Sequence, residues 1–501
     1  MSAKLFDEVC RYARQTAVWA SIDATLGWDE RTHLPPAGAE YRAEQSALVA
    51  GLAHQRWTDP TFGRQLEELA ASPLAADPES DAALIARRLR RQYDRRIKMP
   101  KTLVERLARL TILGQQAWQD ARQNDDFPAF RPILEEVVEL KRQQAEAIGY
   151  DDCPYDALLD EYEPEERTAR VAGVLGQLRD ALTPLVAEIQ QSGRRPNVGL
   201  LHRDFPVALQ AQFGLAAASA IGFDFARGRL DETAHPFCTT LGPHDCRITT
   251  AYDERHFGSA LFSILHEAGH GLYEQGLPVE WFGLPPGEAV SLGLHESQSR
   301  LWENFVGRGR PFLTFYFPLA QQRFSALRDV SFEEFYFAIN DVRPSLIRIE
   351  ADEATYNLHI LIRFELERAL LDGQLQAADL PAAWNEKYQT YLGVTPPNDR
   401  DGVLQDVHWS AGLIGYFPTY ALGNLYAAQF FAQARRDIGD LDARLTAGDF
   451  RPLLDWLRDR IHRHGQRWSA AELVRRATGR ELSIEPLMEH LRTKLAPLYL
   501  S

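Results

Sequence analysis

The sequence predicts one large, mainly α-helical body with a small β-sheet near its centre. Three observations carry this. Apolar residues recur at helical spacing through most of the 501 residues, in segments closed by Pro and Gly. Residues 223–252 instead gather turn formers and β-branched residues. No internal repeat, low-complexity tract or heptad run interrupts the pattern. Hydrophobic residues make up 45% and charged residues 25%, an ordinary globular balance that can bury a large core.

In chain order, residues 4–24 place Leu5, Val9, Tyr12, Ala13, Ala17 and Ala20 at helical spacing. A rigid turn follows at Leu34-Pro35-Pro36-Ala37-Gly38, then a helix over 40–53. Thr58-Asp59-Pro60 reads as a helix start. Residues 80–98 form a basic helix with Arg87, Arg88, Arg90, Arg91, Arg95 and Arg96. A solvated or salt-bridged face is the better reading than a nucleic-acid stripe, because no aromatic ladder interleaves and the net charge is −15. Helices are expected from Pro100 to about Asp125, from Phe130 to Ile148 with Gly149 as stop, and from Glu163 to about Gln191. Ser192-Gly193-Arg194-Arg195-Pro196-Asn197 is the best linker of the first half, and a short helix over 206–222 follows. Residues 223–252 should form a hairpin or three-stranded sheet, whose edge can hydrogen-bond an extended peptide. Further helices are expected at 331–339, 350–372, 380–391, 418–436, 450–464, 469–477 and 484–496. The whole is taken as one unit over 1–501, with an N-terminal helical region to about 195 and a catalytic region after it.

Four scattered cysteines give no disulfide framework and suggest reduced thiols. Cys238 and Cys246 lack C-x-x-C spacing and read as small packed residues rather than zinc ligands. The N-terminus carries no basic-then-apolar signal, and no apolar run reaches the roughly 18 residues needed to span a bilayer. These features point to a cytoplasmic protein without nucleic-acid or membrane partners.

The chemistry concentrates in His266-Glu267-Ala268-Gly269-His270. On a helix, His266 and His270 lie one turn apart on one face and can share a metal ion. Glu267 is then placed to take a proton from water at that metal. Leu261, Phe262, Ile264 and Leu265 just before the motif predict a buried helix. Tyr273 and Gly276 stand where a metzincin would place its Gly and last His, which excludes that class. A third ligand is sought on the next helix, where Glu296 lies 26 residues beyond His270 across a Pro/Gly loop. His295 competes, but adjacent helical residues point about 100° apart, so only one faces the metal. Glu296 is favoured because two histidines and a glutamate are a known zinc-hydrolase set.

Six ordered motifs resemble the carboxypeptidase Taq family. They are His235-Pro236-Phe237; Asp245-x-Arg247-x-Thr249; His266-Glu267-x-x-His270; His295-Glu296-Ser297-Gln298; Ile347-Arg348-x-x-Ala351-Asp352; and Gly402-x-x-Gln405-Asp406-x-His408-Trp409. The resemblance spans nearly the whole chain. It implies a large helical, saddle-like zincin fold with a deep groove and a small β-sheet beside the active-site helix. It also implies release of single C-terminal amino acids from peptide substrates with broad specificity, poor action next to proline, one divalent ion (zinc, with cobalt as the alternative) and a homodimer. A dipeptidyl carboxypeptidase or endo-oligopeptidase on the same scaffold, or a non-catalytic helical binding protein, are the competing functions.

A carboxypeptidase must hold a free carboxylate, for which an arginine fork is suited. Arg348 and Arg247 are the candidates; the alternative is a structural ion pair of Arg348 with Asp352 or Arg247 with Asp245. His408, Tyr416 and Tyr420 resemble the oxyanion-facing residues of related helical peptidases, and the alternative for the tyrosines is a core aromatic role. A ligating histidine needs a partner for its second nitrogen. Arg300 occupies the position four after Glu296 where related hydrolases often place an acid, so Asp352, Glu303 or a carbonyl are the options.

Overall fold

The computed structural model describes residues 2–500. Among them are 20 α-helices and one three-stranded sheet. None of the helices is long and apolar enough to cross a membrane.

The first four helices are α1 (Ser2–Thr32), α2 (Ala39–Trp57), α3 (Pro60–Ala70) and α4 (Asp81–Lys98). Asp59 caps α3 and Ser80 caps α4, each accepting from a backbone N–H of the first turn. Val9, Phe62, Leu66, Ile85, Leu89 and Tyr93 form a small core of their own, to which Leu284 contributes from far along the chain. Most of the chain after α4 shares one larger core running from Leu103 to Tyr499. Its first half is built by α5 (Lys101–Asn124), α6 (Phe127–Ile148), α7 (Pro154–Tyr162), α8 (Thr168–Gln191) and α9 (Val207–Ile221). The helix expected to open at Glu163 begins at Thr168, and Glu163 instead follows α7, which the sequence reading left out.

The sheet falls where the texture changes: β1 (Gly228–Glu232), β2 (Cys238–Gly242) and β3 (Asp245–Thr250). The strand order is β1-β3-β2, with β1 parallel and β2 antiparallel to β3. From β3 the chain turns directly into α10 (Phe257–Glu274), so the sheet backs the motif helix. After two short 3₁₀ turns comes α11 (Leu292–Arg300), which runs on as a π-helical segment over Leu301–Gly307. The remaining helices are α12 (Arg310–Arg323), also absent from the sequence reading, α13 (Phe332–Ile339), α14 (Tyr356–Leu371), α15 (Leu380–Leu392), α16 (Pro418–Ile438), α17 (Leu441–Thr446), α18 (Arg451–Arg460), α19 (Ala470–Thr478) and α20 (Glu485–Tyr499). The start of α14 lies later than expected because Asp352 accepts the backbone N–H groups of Ala354 and Thr355 and the Thr355 hydroxyl, fixing a turn ahead of the helix.

Leu261, Ile264, Leu265 and Leu272 of α10 are buried, each contributing about 1.5–3 kcal/mol to docking this helix in the core. Two glycines let the neighbouring helices close on one another. A Cβ on Gly269 of α10 would come within 2.6 Å of the α11 backbone at Gln298 and Ser299. A Cβ on Gly423 of α16 would come within 2.6 Å of the Glu296 side chain. α11 is thus held between α10 and α16 at close range, and its position beside the two histidines follows from that contact.

Candidate metal centre and active site

His266 and His270 point their Nε2 atoms at the same carboxylate oxygen. Glu296 Oε2 lies 3.6 Å from His266 Nε2 and 3.5 Å from His270 Nε2. One ligand atom from each of the three residues lies within 4.8 Å of the others. Tetrahedral sites with metal–ligand bonds of roughly 2.0–2.1 Å hold their donors about 3.3 Å apart, so this spacing fits a divalent ion.

The second nitrogen of each histidine is committed. His266 Nδ1 is 2.9 Å from Glu303 Oε2, which fixes the tautomer that leaves Nε2 as the open lone pair. Glu303 sits on the π-helical segment, whose wider turn carries it back toward α10. His270 Nδ1 is 2.6 Å from His295 Nδ1, and His295 Nε2 is 2.9 Å from Glu274 Oε1. Thr240 of β2 donates to the other oxygen of Glu274 at 2.8 Å. His295 therefore supports His270 from behind, while Glu296 faces the shared point. Burial holds His270 near a pKa of about 4, so its imidazole is neutral, the form a metal ligand requires.

Arg300 donates to Glu296 Oε1 at 2.7 Å and reaches Glu303 Oε2 at 3.5 Å. The cation that displaces the expected acid thus ties two carboxylates together and leaves Glu296 Oε2 turned to the histidines. Burial pushes both carboxyls up, but Arg300 and the histidines outweigh it: Glu296 falls well below the usual carboxylate range and Glu303 to about 2. Both are ionised. Glu303→Gln should weaken metal affinity roughly 10- to 100-fold, read by competition with a chromogenic chelator. Unchanged affinity would mean that the Glu303 bond does not hold the His266 ring.

Glu267 is buried, and burial raises its pKa to about 7 despite the opposing influence of His266. Its carboxylate has no hydrogen-bond partner among the described residues, unlike every other acid around the centre.

Arg348 is buried and engaged. It donates from Nε to Asp406 Oδ1 at 2.9 Å and from Nη1 to the Tyr356 hydroxyl at 3.0 Å, with Nη2 2.8 Å from Asp406. Its ion pair is thus with Asp406, not Asp352. Arg300 stacks on Tyr356 at 4.4 Å, so contacts run from Glu296 through Arg300 and Tyr356 to Arg348. The Arg348 guanidinium also lies 5.3 Å from the Tyr420 ring centroid. His408 Nε2 is 3.3 Å from the Tyr420 hydroxyl, and Tyr416 packs edge-on against Tyr420 at 5.3 Å. These residues gather on the Glu296 side of the centre.

Arg247 lies elsewhere. Its fork grips Asp245 at 2.8 and 2.9 Å and its face lies 4.2 Å from the Trp28 ring centroid, joining the sheet to α1. Thr249 donates to the Phe237 carbonyl and accepts its N–H, which pins the His235-Pro236-Phe237 loop on β3. Cys238 and Cys246 are free thiols 3.7 Å apart, packed behind α10, and contribute nothing to the donor set. Glu274, Asp406 and Tyr356 were not singled out as site residues from sequence. Asp406 stands inside a quoted motif, but its pairing with arginines 58 and 43 residues away leaves no local trace.

The family model described as carboxypeptidase Taq (M32) metallopeptidase matches residues 8–495. The thermostable carboxypeptidase 1 of Thermus thermophilus is 49% identical over 503 aligned residues, covering 99% of each chain. Carboxypeptidase 1 of Bacillus subtilis is 39% identical over 95% of each chain. The crystal structure of an M32 carboxypeptidase from Deinococcus radiodurans superposes with a TM-score of 0.96 at 41% identity, covering 99% of this chain and 100% of that one.

Proposed function

Since the chain belongs to the carboxypeptidase Taq (M32) metallopeptidase family, we propose that it releases single C-terminal amino acids from peptides with broad specificity. The supporting observation is the convergence of His266, His270 and Glu296 beside an uncommitted Glu267. Zinc suits this donor set, with cobalt as the alternative. A divalent ion bound there supplies Lewis-acid polarisation of the scissile carbonyl and acidifies water.

The chain's own groups divide the remaining work. The Glu267 carboxylate takes the proton of the attacking water and passes it to the departing amide nitrogen. His408 and the Tyr420 hydroxyl donate toward the developing oxyanion. Arg348, with Tyr416 and Tyr420 around it, receives the substrate's terminal carboxylate on the guanidinium hydrogens that Asp406 and Tyr356 leave over. Arg348 is favoured over Arg247 because it lies beside Tyr420, whereas Arg247 packs on Trp28 of α1. A proline at the scissile bond has no N–H and a fixed φ, so slow release there is expected. A homodimer and a cytoplasmic location complete the proposal.

The discriminating experiment pairs a free-acid peptide with its C-terminal amide. The free acid should lose one residue at a time and the amide should resist. Internal cleavage of the amide would identify an endo-oligopeptidase, and dipeptide release would identify a dipeptidyl carboxypeptidase.

A further inference from the structure

The two carboxylate oxygens of Glu296 are used differently. Oε2 faces Nε2 of both histidines, at 3.6 and 3.5 Å. Oε1 accepts from Nε of Arg300 at 2.7 Å. An arginine that meets a carboxylate fork on fork engages both oxygens. Arg300 engages only one, because its Nη1 turns away toward Glu303 Oε2 at 3.5 Å. The Ser299 hydroxyl is 3.1 Å from Glu296 Oε2 but 2.7 Å from the Glu296 carbonyl, so its single proton goes to the carbonyl. Oε2 thus keeps its lone pairs.

Arg300 is itself held on several sides. It is the last residue of α11, four positions after Glu296 and on the same helix face. Its guanidinium lies 4.4 Å from the Tyr356 ring centroid, and the Tyr356 hydroxyl accepts from Arg348 at 3.0 Å. Glu303, its second acid, is tied to His266 at 2.9 Å and to Arg308 at 3.3 Å. Across from Arg300, Gly423 of α16 packs against Cβ and Cγ of Glu296. Turning the carboxylate so that both oxygens face the histidines would break the Arg300 bond.

We propose that Arg300 is a positioning residue that makes Glu296 a one-oxygen ligand and so keeps one coordination position of the ion free of protein. The inference rests on the metallocarboxypeptidase reading above. A carboxylate can bind a cation through one oxygen or through both. Through one, the protein supplies three donors, and a tetrahedral ion keeps a place for solvent or substrate. Through both, Glu296 itself fills that place.

The test uses cobalt-loaded protein, because the visible absorption of Co(II) is intense in tetrahedral sites and weak at higher coordination. Wild type should give the intense spectrum. Arg300→Met removes the donor to Oε1 and keeps an unbranched side chain against Tyr356. It should retain one ion per chain by elemental analysis, give a weaker spectrum, and lose about 10- to 100-fold in kcat. Arg300→Lys keeps a cation at Oε1 and should recover the wild-type spectrum and most of the rate. Arg300→Gln, a weaker and neutral donor, should fall between the two, and it carries the test if the Met variant does not fold. A merely structural ion pair would lower the melting temperature of the metal-free variants and leave the cobalt spectrum unchanged. A weak spectrum in wild type, a wild-type spectrum in the Met or Gln variant, or loss of the ion from either would overturn the proposal. None of these results touches the carboxypeptidase reading, which fails instead if wild type binds no ion at the three donors or releases no amino acid.

Discussion

Glu267→Gln should lower kcat by about 10²- to 10⁴-fold while leaving the metal content unchanged. The substitution removes proton-accepting capacity and little else. Gln has nearly the same shape, and Glu267 is buried with no hydrogen bond to lose. A carboxyl that burial already pushes up to about 7 gains rather than loses by becoming a neutral amide, so the fold should be at least as stable. The three donors His266, His270 and Glu296 are untouched, so one ion per chain should remain by elemental analysis. Near wild-type turnover would remove Glu267 from the role of base. Loss of the ion together with activity would place it among the ligands.

Asp406→Asn should destabilise the protein by about 3–5 kcal/mol, the range for breaking a buried ion pair on one side. Asp406 stands between Arg348 and Arg363, accepting from Arg363 Nε at 2.6 Å, and Arg363 is fully buried. An amide in its place leaves two buried guanidiniums facing a neutral group. Burial pushes the Asp406 carboxyl up, but Arg363 and Arg348 outweigh it and hold it well below the usual range. Its folded-state pKa is therefore depressed. The stability it confers is complete above its unfolded pKa of about 3.9 and is lost as pH falls toward the folded value. Urea unfolding should give a lower midpoint for the variant at neutral pH. Below about pH 4 the variant's stability should also fall less steeply than that of wild type. A change within 1 kcal/mol at neutral pH would mean that the arginines find other partners.

The two helices that form the centre were readable because their signals are local. His266 and His270 share a face by spacing alone, and the loop before Glu296 announces a chain reversal. The sheet was readable from the change of texture between Phe223 and Tyr252. Three helices were missed, and the shortest, α17, has only six residues. α7 has only nine residues and ends in an acidic Glu-Pro run that reads as a helix start. α12 carries Pro318 inside it and aromatics around much of its circumference, which blurs the 3.6-residue period. The omission of α7 had a consequence. Of the α4 arginines expected on a salt-bridged or solvated face, Arg88, Arg90, Arg91 and Arg95 are salt-bridged, but Asp160 and Glu165, the partners of Arg88, Arg91 and Arg95, lie on or just beyond that helix.

Residues that support the centre from a distance were the hardest to read. Glu163 accepts the N–H of Gly293 at the start of α11, an acidic group at a helix N-terminus supplied from 130 positions earlier. Glu303 was one of three options for a histidine partner, and the π-helical segment that turns it inward has no sequence signature. His295 was weighed as a rival ligand, and packing places it one layer back, on Nδ1 of His270. In each case a pairing across the fold, rather than the residue's own neighbourhood, decides the role.

The most direct measurement is anomalous diffraction at the zinc edge from crystals holding one zinc per chain. One peak is expected, about 2.0–2.2 Å from Nε2 of His266, Nε2 of His270 and a carboxylate oxygen of Glu296. A peak at the Cys238–Cys246 pair, or a zinc from which Glu296 stands apart, would contradict it.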